Sequence, residues 1–341
     1  MTRKTRATGR TTIKDVAAAA GVSAITVSRV LRTPERVSPA TRDRVTEAVR
    51  ALDYLPDPAA SALASQRTAT VGVVLPSVTN TVFRDTLRGI YTEAAARAVQ
   101  IQIANTRYDP GEETRAIRLF LSQRPAALIV TGIDQSEEAA TLLAEAPCPI
   151  VQITETGPSA HDMMIGFDHG EAVELATRHL IAAGYRRIGF LGARQDPRSL
   201  RRMEGFCAAL RAAGLFEPER VLFSDAPASV TSGAEQLGRL LERDSAADAV
   251  LCNNDDLALG VLFECQRRGL AVPDRIGICG FNDFEWMAAA VPPLTSVSTP
   301  RAEIGRRAMA MIGERLENPG MAPEVVQLDV SLKIRESTRK R

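Results

Sequence analysis

The chain has 341 residues, 45% hydrophobic and 24% charged, with a formal net charge of +1. That length is too great for one small core and suits a small domain joined to a larger one. No apolar run reaches the length of a membrane span, and the first ten residues are polar and basic, unlike a signal peptide.

Residues 12–31 read TIKDVAAAAGVSAITVSRVL and predict two short helices around a tight turn. Thr12 is placed to cap the first helix, with Asp15 at its third position; Gly21 and Val22 make the turn, and Ser23 caps the second helix. Val16, Val22, Val27, Val30 and Leu31 are expected to form a small shared core. Ile25 lies roughly 200° around the helix from Val27 and should point away from it. An exposed face beginning with Ala24 and Ile25 suits a DNA major groove. The alternative is an ordinary antiparallel helix pair inside a larger core. Charge argues against that: residues 1–67 hold twelve Lys or Arg against six Asp or Glu, leaving the remainder of the chain acidic. A basic head on an acidic body points to nucleic acid binding by the head.

Ser38-Pro39 reads as a helix start, and a third helix is expected to run to about Leu52. The segment YLPDPAASALASQRT follows at 54–68. From residue 69 onward, short apolar segments alternate with helical ones. The strand candidates are 70–78, 126–133, 148–154, 187–193, 249–255 and 276–283, each apolar throughout, as parallel strands covered on both faces should be. The pattern predicts an α/β body with parallel sheets in two similar halves. Ligands bind such sheets beyond the carboxyl ends of the strands. Those ends carry Ser77, Asn80, Thr131, Arg194, Asn254, Asp255, Asn282 and Asp283, which points to a polar small-molecule cleft. Cys148, Cys207, Cys252, Cys265 and Cys279 show no paired spacing, so reduced, buried thiols and a cytoplasmic location are expected.

Taken together, TIKDVAAAAGVS, TVSRVL, VSPATRDRV and Tyr54-Leu55-Pro56 resemble the lac repressor family of bacterial transcription factors. The body continues the resemblance through VGVVLPSVTN, IGFDHG, HLIAAGYRRIGFLGA, NNDDLALG, IGICGFND and PPLTSVSTP, and is similar to periplasmic sugar-binding proteins. The resemblance implies a helix-turn-helix domain at 1–53, a hinge helix and linker at 54–68, and an effector-binding and dimerisation body at 69–341. Two doubly wound parallel-sheet subdomains are expected there. One spans about 69–165 and 298–325, the other about 166–297 and 326–341, with TSVSTP as the third crossover. It further implies a homodimer on near-palindromic, double-stranded operator DNA, with contacts near Leu259. RESTRKR holds no leucine heptad, so no tetramer is expected.

By the family pattern Ala24, Ile25 and Arg29 face bases, Ile25 meeting a thymine methyl and Arg29 a guanine. Ser23, Thr26, Ser28, Thr41 and Arg42 would meet phosphates, and Tyr54 would stand at the start of the hinge. Residues 58–65, too short to be helical alone in water, would fold on DNA, with Ala60 touching the minor groove and Leu63 wedged into a base step. The chain departs from the family at Asp57-Pro58, where an Asn-Arg pair is usual, losing a phosphate-seeking charge. In the effector cleft, Arg202, His169, Asp255 and Asn282 match ligand-lining positions, faced by Ser77, Asn80, Phe83 and Thr131. Arg194 and Arg198 nearby favour an anionic effector, a sugar acid such as gluconate.

Catalysis is not expected. His161, His169 and His179 have no metal-ligand spacing, and there is no nucleophile elbow or phosphate loop. No cofactor or metal is implied. A transport-associated binding protein would need an export signal and no basic head.

Overall fold

The computed structural model describes residues 11–55, 68–97, 99–158 and 160–340, and the chain divides into two compact units, Met1–Thr68 and Ala69–Arg341. The smaller unit holds three helices: α1 (Ile13–Ala20), α2 (Ala24–Arg32) and α3 (Pro39–Ala51). Thr12 and Asp15 form a reciprocal capping box that satisfies two otherwise orphaned N–H groups. Gly21, at φ +61°, ends α1 in the left-handed region, where a side chain would be strained. Ser23 Oγ accepts from Thr26 N at 3.1 Å and starts α2. Ser38 departs from expectation: it makes no cap to the α3 backbone, and its hydroxyl donates to Thr41 Oγ1 at 3.0 Å. Pro39, with φ already helical and no N–H to satisfy, opens the helix by itself.

Val16, Ala17, Ala20, Val27, Val30, Val45, Ala48 and Tyr54 fill the core of this unit, with Val22 packed at its edge. Leu31 is a correction to the sequence reading, since it is 39% exposed. It lies about 100° beyond Val30, past the edge of the narrow stripe that so small a core can bury.

The larger unit contains two six-stranded sheets. In chain order the first four strands are β1 (Thr70–Leu75), β2 (Gln100–Asn105), β3 (Ala127–Thr131) and β4 (Ile150–Glu155). They are followed by β5 (Met163–Phe167), β6 (Ile188–Ala193), β7 (Val221–Ser224) and β8 (Ala249–Cys252). The last four are β9 (Gly277–Asn282), β10 (Thr295–Ser298), β11 (Glu324–Gln327) and β12 (Ser331–Lys333). The first sheet runs β11-β5-β4-β3-β1-β2, and the second β12-β10-β9-β8-β6-β7. All pairings are parallel except β10 with β12. The chain therefore crosses between the sheets three times, after β5, β10 and β11, so TSVSTP, which holds β10, leads into the second crossover and not the third as expected. The central strands β1, β3, β5, β6, β8 and β9 are buried along their length.

Helix α4 (Val82–Ala94) packs on α12 (Arg301–Glu317), so residues from before β2 and after β10 share one lobe. The crossing is tight because Gly89 lies against the Ala302 carbonyl and Gly305 against the Thr86 carbonyl; a Cβ at either would collide with backbone. All five cysteines are buried, and none forms a disulfide.

Candidate effector cleft and nucleic-acid interface

Loops at the carboxyl ends of both sheets surround a cavity of about 270 Å³. From the first sheet come Ser77, Asn80 and Phe83 around the start of α4, Tyr108 beyond β2, and Thr154 in β4. From the second come His169 at the start of α7 (His169–Ala182), Arg194 after β6, Asn253 after β8 and Asn282 at the end of β9. Arg198 and Arg202 project from α8 (Pro197–Ala212), whose N-terminus is capped by Asp196 accepting from Arg198 N and Ser199 N. The helix dipole adds positive potential at that end.

Arg202 is the central feature. Its Nε donates to His169 Nδ1 at 3.1 Å, its Nη1 donates to Asn253 O at 2.8 Å, and its guanidinium lies 4.0 Å from the Phe281 ring centroid. None of these partners is anionic. Burial pulls its pKa down to about 10, opposed by Asp196 and assisted by Arg198, so it remains a cation at neutral pH. His169 is held well below the usual histidine range by burial and by the Arg202, Arg198 and Arg201 charges. The neutral ring then carries its proton on Nε2, leaving Nδ1 to accept from Arg202.

The other arginines differ in their compensation. Arg198 pairs with Asp196 at 3.4 Å, and Arg301 with Asp85 at 3.0 Å. Arg194 lies 4.0 Å from the Tyr108 ring centroid and has no ion pair among the described residues. Four residues at the cavity, Tyr108, Thr154, Arg194 and Asn282, have positive φ without being glycine. Such conformations cost of order 1–3 kcal/mol each and concentrate at ligand sites.

Three residues expected at the cleft, Thr131, Asp255 and Asp283, do not line it, and Asp283 pairs with Arg335 at 2.7 Å instead. Thr131 is buried, and its hydroxyl donates to Val74 O at 2.9 Å within the sheet. Asp255 is fully buried, accepting from Ser296 Oγ and Phe284 N, each at 2.7 Å. It begins α10 (Asp255–Arg268), and the helical rotation of about 100° turns its neighbour Asp256 to the cavity instead. Sequence reasoning also missed Tyr108, Asp196, Asn253 and Arg301. Asn253, in the same NNDD run, and the Asp196-Pro197 helix start were visible signals.

In the smaller unit Ser23, Ile25, Arg29 and Arg42 are exposed, while Thr26, Ser28 and Thr41 are half-buried. Ile25 is 72% exposed on the face opposite Val27, an arrangement that stability alone does not favour. Ala24 is half-buried against the core. Tyr54, placed by the resemblance among the DNA-binding residues, is instead 8% exposed and packs within the helical core. Asp57, Pro58, Ala60 and Leu63 lie outside the described residues.

Comparison with known proteins now decides the family. The model of bacterial regulatory proteins of the lacI family matches residues 12–57, and that of the periplasmic binding protein-like domain matches 177–338. The HTH-type transcriptional regulator GntR of Pseudomonas aeruginosa is 37% identical, covering 98% of each chain. The chain belongs to the lac repressor family. Another family regulator, GntR of Escherichia coli K12, is 35% identical over 95% of this chain and 97% of its own. Among solved family structures, a regulator from Silicibacter pomeroyi superposes with TM-score 0.89 at 36% identity, covering 97% of this chain and all of that one. The lac repressor dimer bound to operator and the anti-inducer ONPF gives TM-score 0.85 at 25% identity, over 96% and 99%. As a lac repressor family member the chain is a DNA-binding transcriptional regulator and not an enzyme. Among the described residues no helix is long and apolar enough to cross a membrane, and no cluster of three potential metal ligands occurs.

Proposed function

We propose that the chain is a homodimeric repressor of operator DNA, released by a sugar acid such as gluconate bound in the cleft between the two sheets. The observation that carries the effector class is Arg202, a buried guanidinium whose partners are all neutral. A buried charge with no carboxylate in contact is costly, and a ligand carboxylate would supply one in the bidentate geometry that guanidinium favours. Arg194 adds a second uncompensated cation, while Asn80, Asn282 and Asp256 offer hydrogen-bonding partners for hydroxyls. Ile25 and Arg29 would read bases, with Ser23, Thr26, Ser28, Thr41 and Arg42 on phosphates and Ala60 and Leu63 in the minor groove. Relatives named as transcriptional regulators, and a neighbour solved as a dimer on operator, support the DNA and dimer parts.

A thermal-shift screen of sugar acids, phosphosugars and neutral sugars tests the effector class. A ligand at 100 times its Kd should stabilise the body by about 2.7 kcal/mol. Gluconate or a close relative should raise Tm and dissociate the operator complex. Arg202→Ala should weaken acid binding by about 10- to 100-fold, as loss of charge-assisted hydrogen bonds implies, yet leave operator affinity unchanged. Stabilisation by a neutral sugar or a purine alone would refute the acid.

A further inference from the structure

Tyr108 stands where the two sheets' loops meet across the cavity. It follows strand β2 at φ +62°, directly after Arg107 at φ +55°, so two successive non-glycine residues hold a left-handed backbone. Its hydroxyl accepts from Asn80 Nδ2 at 3.0 Å, which fixes the ring in the first lobe. Above that ring sits the guanidinium of Arg194 from the second lobe, 4.0 Å from the centroid. Arg194 is tethered too: its backbone N–H donates to Ser224 O at 2.7 Å and to Ala226 O at 3.1 Å, and its φ is +56°. Strain at both ends of one contact marks a geometry that the surroundings impose.

The ring holds the guanidinium from one side, and its N–H donors make no side-chain hydrogen bond among the described residues. Arg198 and Arg301 have carboxylates beside them, whereas Arg194 has neither an ion pair nor a side-chain hydrogen bond among the described residues. A leucine in place of the ring would fill space but present no quadrupole to a cation. We propose that Tyr108 is a positioning residue that, through Arg194, sets the preference of the cleft for an acid over the matching neutral polyol. This rests on the reading that the effector is an acid. The contact joins the two lobes, so the second cation is in place only while they keep this orientation.

Calorimetric titration with gluconate and with glucitol, its neutral counterpart, tests the proposal in the full-length protein. The parent's preference for gluconate is the control on the acid reading itself, and a parent that takes no acid overturns both. Tyr108→Phe keeps the ring but loses the Asn80 hydrogen bond, and should hold the ratio of gluconate to glucitol affinity within about twofold of the parent's. Tyr108→Leu should weaken gluconate by about tenfold, the scale of a cation–π contact, and leave glucitol unchanged. Arg194→Ala should do the same, and the double variant should be no weaker than Arg194→Ala alone. Without ligand, phenylglyoxal should modify Arg194 faster in Tyr108→Leu than in the parent or Tyr108→Phe, as mass spectrometry would read. Equal losses for both ligands, additive effects in the double variant, or an unchanged modification rate would each overturn the role assigned to Tyr108.

Discussion

Glu155 and Asp255 are buried carboxylates with opposite surroundings and a similar outcome. Burial pushes the Glu155 carboxyl up to about 7, although the Arg201 guanidinium lies 2.8 Å away and pulls the other way. One of its oxygens has no partner, which explains why the ion pair does not win. Burial also raises Asp255 to about 7, opposed by hydrogen bonds from Phe284 N and Ser296 Oγ. Each group binds its proton more tightly folded than unfolded. Their contribution is therefore complete below the ordinary carboxyl range and is lost as pH rises through about 7. His169, lowered well below its ordinary value, acts oppositely: its contribution is present above the ordinary histidine range and falls as pH falls below it. Comparing each variant with the parent separates these effects. Urea midpoints from pH 5 to 8 should show a shallower fall for Asp255→Asn and for Glu155→Gln than for the parent. The slope removed should be up to about 1.4 kcal/mol per pH unit per group. Parallel curves would show that neither carboxyl carries a raised pKa.

At the scale of elements, α2 separates stability from recognition on its two faces. Val27 is fully buried and Ile25 is 72% exposed, two residues away. Val27→Ala should destabilise the head by about 1–3 kcal/mol, since the two deleted core methyls lose transfer and packing energy. Ile25→Ala should leave the melting transition within about 0.5 kcal/mol and alter operator affinity at one base step. Equal stability effects would remove the case for Ile25 as a reading residue. This contrast was legible because helical periodicity assigns a side without any tertiary information. Strands β1, β3, β4, β6, β8 and β9 were legible for a similar reason, as runs of apolar residues, whereas the buried β5 was not singled out. The missed strands are β2, with no buried position, and the short β7, β11 and β12 at the sheet edges, together with the interior β5 and β10. An edge strand need not be apolar on both faces, so QIQIAN gives no continuous run, and the loop bearing Tyr108 went unnoticed with it. Within the cleft, residue type identified the strand-end polar groups but not which way each turns. Thr131 and Asp255 are satisfied inward, while Asp256, one residue on, faces the cavity.

For the whole molecule, the proposed switch is a statement about linked equilibria. The head holds twelve basic against six acidic residues, so operator binding should weaken steeply with salt through counterion release. The effector, bound by another unit, can oppose that binding only by preferring the protein conformation that holds DNA poorly. Linkage then requires reciprocity: whatever factor gluconate takes from operator affinity, saturating operator must take from gluconate affinity. Coupling of about 1–3 kcal/mol, or 5- to 150-fold, is the usual range. Titrating gluconate into the free protein and into the operator complex, at one salt concentration, measures one side; operator titrations with and without gluconate measure the other. In Arg202→Ala both should vanish together, leaving an operator complex that gluconate does not dissociate. A gluconate affinity that is the same with and without operator would break the linkage. Gluconate would then have to act, if it acts at all, by competing at the DNA surface instead of through the cleft.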